Sequence, residues 1–97
     1  VIDFLKRGKE NAIPSRALAK MVGCKNVRDL QALVAQERQQ GAVILSTSRN
    51  GGGYYLPADA EEVREFIRTL DARARHTFLA LRSARKYLKE IENVDEN

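Results

Sequence analysis

Two glycines, Gly23 and Gly41, divide the middle of the chain into three stretches whose side-chain periodicities differ. Before Gly23, the run SRALAKMV repeats apolar residues at helical spacing, and between the glycines VRDLQALVAQERQQ does so again over a longer span. After Gly41 the β-branched content rises in VILST, and an aromatic pair opens YYL beyond the Gly-rich stretch SRNGGG. Glycine supplies the positive φ at which a helix stops and the chain turns sharply. The order between Ile13 and Leu56 is therefore helix, turn, helix, hairpin, and no catalytic motif competes with it.

Local signals sharpen each part. Val1, Ile2 and Leu5 in VIDFLK stand at helical spacing and read as the end of a first helix, which Gly8 and the polar run KEN break. The chain opens at Val1 rather than Met, so earlier turns of that helix are expected upstream. Ile13 precedes a proline and is pushed out of the α region. Ser15 is then the expected N-cap, with Leu18, Met21 and Val22 facing the core and Arg16 and Lys20 on the other side. Asn26 caps the next helix, with Asp29 three residues on. Val27, Leu30, Leu33 and Val34 form its buried stripe, and Arg28, Gln31, Ala32 and Ala35 the opposite one. Val43–Thr47 and Tyr54–Leu56 are the expected strands, with Arg49 and Asn50 at the tip between them and Pro57 ending the second.

Asp59 and Glu62 form a D-x-x-E start to a long helix that no Gly or Pro interrupts through Glu92. Its apolar and small positions are Val63, Ile67, Leu70, Ala74, Thr77, Leu81, Ala84, Leu88 and Ile91. They alternate four and three residues apart, the spacing of a helix-pairing seam. The division expected is 1–58 for the helix–turn–helix with its hairpin, 59–93 for an amphipathic helix, and 94–97 for a frayed polar tail. A helix of this length exposes more seam than a small body covers, so pairing with a second copy is expected.

Composition bounds the rest. Ninety-seven residues with 43% hydrophobic and 31% charged side chains suit one modest globular domain. No apolar run approaches the ~20 residues of a membrane span and no signal-peptide pattern opens the chain, so a cytoplasmic protein without membrane contact is expected. A single cysteine forms no internal disulfide, which fits a reducing compartment. Of the net +4, residues 1–58 carry nine Lys/Arg against four Asp/Glu, and residues 59–97 carry eight against nine. The excess positive charge lies where the helix–turn–helix lies, as polyanion binding requires.

Helix, turn, helix, hairpin is the plan of a winged helix-turn-helix, mainly α with a small β-hairpin, whose second helix enters the DNA major groove. The stretch ALAKMVGCKNVRDLQALVAQERQQGAVI followed by GGGYYLPA resembles the winged-helix proteins of bacterial transcription regulators. It is closer to the small ones encoded by bacteriophages and mobile elements, which share a glycine turn, an Arg-acid-Leu helix start and a Gly-Tyr-Tyr wing. Here these are Gly23, Arg28-Asp29-Leu30 and Gly53-Tyr54-Tyr55. The DNA-binding domain of the biotin-operon repressor has a similar order, and its Gly-Tyr-x-Leu-Pro wing end is matched by Gly53–Pro57. The chain departs from the pattern in the turn GCKN, one residue longer than usual, and in Glu37, where the family places a core leucine. The resemblance covers about residues 13–58 and implies sequence-specific duplex DNA binding as a dimer, by a regulator or DNA-binding accessory protein.

On that plan Arg28 and Gln31 are candidate base readers, since arginine suits guanine and glutamine suits adenine. Ala32 lets the helix backbone approach the groove. Arg16, Lys20 and Lys25, with Asn26 at the helix start, are candidate phosphate contacts. Arg49 and Asn50 either enter the minor groove or cap a flexible hairpin without a role. GGG is no phosphate cradle, because no Lys-Ser/Thr follows it. Cys24 reads as core filler, and His76, the only histidine, has no Cys pair for zinc and no triad partners. Tyr54 and Tyr55 are expected to alternate, one on the body and one reaching a phosphate. Ala72–Lys89 carries six Lys/Arg and no acid. It reads as a solvated face, with a second nucleic-acid or acidic-partner surface as the alternative. No enzyme, metal, cofactor or small-molecule ligand is expected. A protein-interaction adaptor, using the helix–turn–helix and the long helix for assembly, is the alternative to DNA binding.

Overall fold

The computed structural model describes residues 1–48 and 51–96, so the expected wing-tip residues Arg49 and Asn50 lie outside the described residues. The order is α1 (Ser15–Val22), α2 (Val27–Gln39), β1 (Leu45–Thr47), β2 (Gly53–Tyr55) and α3 (Ala60–Glu96). The protein is mainly helical, with an antiparallel hairpin and a long C-terminal helix. It forms two compact units, Val1–Phe66 and Ile67–Asn97.

The N-terminal run is not the end of a helix. Ile2–Phe4 makes a single 3-10 turn, Leu5 is extended and buried, and Lys9–Asn11 makes a second 3-10 turn. Between and after the turns the chain lies along β2. Leu56 N–H donates to Lys6 O and Gly8 N–H to Leu56 O, both at 2.8 Å, and Ile13 exchanges two backbone bonds with Tyr54 at 2.9 and 3.0 Å. These long-range pairings outweigh the short helical pattern of VIDFLK.

Ser15 is not the N-cap of α1. Pro14 holds that place with extended ψ of 146°, no side chain caps the helix, and Ser15 is already helical. Leu18 is buried as expected, but Met21 is 48% exposed while Ala19 is buried and Val22 half-buried. The apolar face of this two-turn helix runs through residues 18, 19 and 22, and residue 21 falls outside it. Gly23 closes α1 at φ 87°, with Cys24 N–H donating to Ala19 O at 2.8 Å. The same arrangement ends α2: Gly41 has φ 104°, and Ala42 N–H donates to Glu37 O at 3.0 Å.

At the start of α2, Asn26 Oδ1 accepts the Asp29 N–H at 2.8 Å. Leu30 and Val34 are buried, Val27 and Leu33 half-buried, and Arg28, Gln31, Ala32 and Ala35 exposed. Glu37 is half-buried on α2. Arg38 ties α2 to the hairpin by donating to Ile44 O at 2.9 and 2.7 Å, and its guanidinium lies 5.2 Å from the Phe66 ring centre.

The hairpin pairs Leu45 with Tyr55, Ser46 with Tyr54 and Thr47 with Gly53. Val43, expected in the first strand, precedes it and is exposed. Tyr54 and Tyr55 do alternate, yet both are buried, at 8% and 3% exposure. Tyr54 joins the core of Leu5, Leu18, Leu30, Val34 and Ile44. Tyr55 lies across from buried Leu45, outside that cluster. Burial pushes the Tyr55 hydroxyl above its ordinary pKa, and the charges of Glu62 and Glu65 push it further.

Asp59 Oδ1 accepts the Glu62 N–H at 2.9 Å, the expected start of α3. The Glu62 carboxylate also accepts Ala58 N–H and Lys9 N–H, each at 2.9 Å, while Lys9 Nζ meets Glu65 at 2.7 Å. The first turns of α3 therefore belong to the first unit, which ends at Phe66 rather than at residue 58. In the second unit, residues 67–93 are exposed throughout. No helix among the described residues is long and apolar enough to cross a membrane.

Candidate functional site

Seven of the nine basic residues of positions 1–58 divide into two groups that the sequence alone does not separate, while Lys6 is exposed and Arg49 lies outside the described residues. Arg7 donates to Pro57 O at 3.0 Å, Lys9 pairs with Glu65, and Arg38 holds Ile44 O beneath Phe66. Those three hold the fold together. Arg16, Lys20, Lys25 and Arg28 are exposed and have no ion pair among the described residues.

These four line one open depression of about 600 Å3, together with Asn26 and an apolar floor of Ala19, Cys24 and Val27. Its construction follows from the local sequence. Arg16 and Lys20 are four apart and so share one face of α1. The left-handed Gly23 reverses the chain, Lys25 rides on the turn, and the Asn26 cap starts α2 so that Arg28 falls in its first turn. The free N–H groups and dipole at the start of α2 add partial positive charge to the same place. No carboxylate is among the lining residues. Four cations gathered without a counter-ion repel one another, and a polyanion removes that repulsion. The depression between Lys9, Glu10, Asp59 and Glu62 contrasts with it, since carboxylates outnumber the one lysine there.

Five of the residues singled out in the sequence thus come together: Arg16, Lys20, Lys25, Asn26 and Arg28. Gln31 and Ala32 are exposed on α2 but do not line the depression. Asn26 has its side-chain oxygen committed to the Asp29 N–H. Of the seam, Val63 is half-buried in the first unit, while Ile67, Leu70, Ala74, Thr77, Leu81, Ala84, Leu88 and Ile91 are exposed in the second. From sequence alone Cys24 has only a packing role. It is half-buried on the core and also forms part of the floor, a place that the turn after Gly23 assigns to it. Leu79 and Tyr87 are also large, apolar and exposed, outside the four-three series.

Among the described residues no group of three His, Cys, Asp or Glu side chains could hold a metal ion. Comparison with known protein families, with curated proteins and with solved structures gives no match to any of them.

Proposed function

We propose that this chain is a winged helix-turn-helix protein that binds duplex DNA sequence-specifically, as a homodimer paired through α3, and acts as a regulator or DNA-binding accessory protein of a phage or mobile element. The observation that carries the reading is the convergence of Arg16, Lys20, Lys25 and Arg28 on one depression without a carboxylate. In this reading α2 enters the major groove with Arg28 and Gln31 toward base edges, and Ala32 lets its backbone come close. Arg16, Lys20 and Lys25 contact flanking phosphates, which set register rather than sequence. The protein works where DNA is, in the cytoplasm of a bacterial cell.

The test is selection from random duplex DNA followed by titration of the winning site. Arg28→Ala weakens the selected site by ~1–3 kcal/mol and relaxes preference at one base pair. Failure to enrich any sequence refutes specific recognition. A second reading, a protein-interaction adaptor, draws on the exposed apolar positions of α3 from Ile67 to Ile91. It is separated from the first by the salt dependence of binding to random duplex, which is steep for a DNA binder and absent for an adaptor.

A further inference from the structure

The seam of α3 is nearly symmetric about position 79, Leu79, and this symmetry bears on how two copies lie together. From Ile67 to Ile91 the sequence of seam residues is Ile, Leu, Ala, Thr, Leu, Ala, Leu, Ile. Turned end for end, it sets Ile67 against Ile91, Leu70 against Leu88, Ala74 against Ala84 and Thr77 against Leu81. Large residues then meet large ones at both ends and small ones meet near the middle, as close packing of two helices requires. All of these positions are exposed in the second unit and stand ready for a partner.

Charge separates this arrangement from the others. The positions beside the seam on one edge are Asp71, Phe78 and Arg85, spaced by seven. In the end-for-end register Asp71 of each copy meets Arg85 of the other along one edge, and the two Phe78 side chains meet one residue from the axis. On the opposite edge Arg73 meets Tyr87, a cation beside an aromatic face. A parallel pair in register sets Arg73 against Phe78 and Arg85 against Ala80, with no opposite charges matched. Sliding the antiparallel pair by one heptad sets Asp71 against Phe78 in one direction and against Glu92 in the other. Of these registers only one pairs opposite charges; a parallel pair in register matches seam sizes as well, so charge alone separates the two. A groove of about 340 Å3 beside the seam is lined by Phe78, Leu81 and four cations, Arg82, Arg85, Lys86 and Lys89, and this flank suits an acidic side chain such as the partner's Asp71.

We propose that the occupant of this face is a second copy of the chain, antiparallel and centred at Leu79, with two reciprocal Asp71–Arg85 ion pairs flanking the seam. This deepens the homodimer reading above and rests on it. The test uses the full chain with Cys24→Ser as background. Chains carrying Ala74→Cys and chains carrying Ala84→Cys are mixed, allowed to exchange, and oxidised. A disulfide requires Cα atoms within about 7 Å, so it forms across a seam layer and not between positions several turns apart. The expected result is a cross-linked dimer in the mixture and none with either chain alone. In parallel, Arg85→Asp raises the dimer dissociation constant about tenfold, because two pairs become two repulsions. The exchange Asp71→Arg with Arg85→Asp restores it.

Three outcomes overturn the proposal in distinguishable ways. Cross-linking of the Ala74→Cys chain with itself means a parallel pair and leaves the dimer standing. A dimer that cross-links in no combination pairs through another surface. A chain that sediments as a monomer at hundreds of micromolar removes the homodimer reading and the register with it. Each result is read without reference to DNA affinity.

Discussion

On the proposed reading, Lys20 and Lys25 offer the sharpest measurement of whether the depression meets DNA. Each phosphate neutralised by a cation releases counter-ions, so the logarithm of the binding constant falls by ~0.9 per contact against the logarithm of salt. With Arg16, Lys20 and Lys25 on phosphates, the expected slope is about −2.7 for each protomer, and about −5.4 for a dimer with both half-sites engaged. Per protomer, raising salt from ~50 to ~200 mM then costs about 40-fold in affinity. Lys20→Ala removes one contact per protomer, which takes the dimer slope to about −3.6, and adding Lys25→Ala takes it to about −1.8. The loss is uniform across sequences, in contrast to Arg28→Ala, whose cost is concentrated at the selected site. Both lysines are exposed and have no ion pair among the described residues, so the melting temperature should hold within the scatter of surface substitutions. Fluorescence anisotropy with selected and scrambled duplexes, over five salt concentrations, gives the slopes directly. Slopes unchanged by both substitutions, with the fold intact, would refute the assignment of this depression to phosphate.

Other perturbations probe the frame that holds the depression. A Cβ on Gly53 would lie 2.7 Å from Ile13 O and 2.9 Å from its carbonyl carbon, at φ 151°. Gly53→Ala should therefore part β2 from the N-terminal run and cost about 2–4 kcal/mol, read from urea unfolding. An unchanged midpoint would show that the two segments do not adjoin. Glu62→Ala removes acceptors from Lys9 N–H and Ala58 N–H, and the expected loss is about 1.5–3 kcal/mol in the same assay. For Tyr55 the folded pKa is raised above 10.0, so the native protein keeps a proton that the unfolded chain releases. Its contribution is complete below pH 10 and drains away as pH climbs past that value. Tyr55→Phe should flatten this decline, and identical losses of stability in both proteins through pH 9–11 would contradict the burial argument.

What the sequence disclosed and what it concealed divide by range. The Gly23 turn, the Asn26–Asp29 cap and the Asp59–Glu62 start are each complete within a few residues, and each forms as its residue types require. Met21 and Ala19 exchanged places because two turns of helix fit more than one apolar stripe, and only contact with the rest of the core chooses between them. The N-terminal run was harder still. Its partner, at and just after β2, lies forty to fifty residues away, and nothing local to VIDFLK distinguishes a strand-like edge from a helical stub. That same partner explains the tyrosines. Strict alternation predicts one buried and one free, but it assumes that one face of the hairpin is wet. Here Tyr54 meets the core of Leu18 and Leu30, while Tyr55 is buried near the carboxylates of Glu62 and Glu65 at the start of α3, so both faces of the hairpin are covered. The cations follow the same logic. Arg7, Lys9 and Arg38 are the same residue types as Arg16, Lys20 and Lys25, and only the folded chain shows which are taken by carbonyls and carboxylates and which remain for a partner. A charge count locates positive potential in a segment. The turn at Gly23 concentrates it at a place.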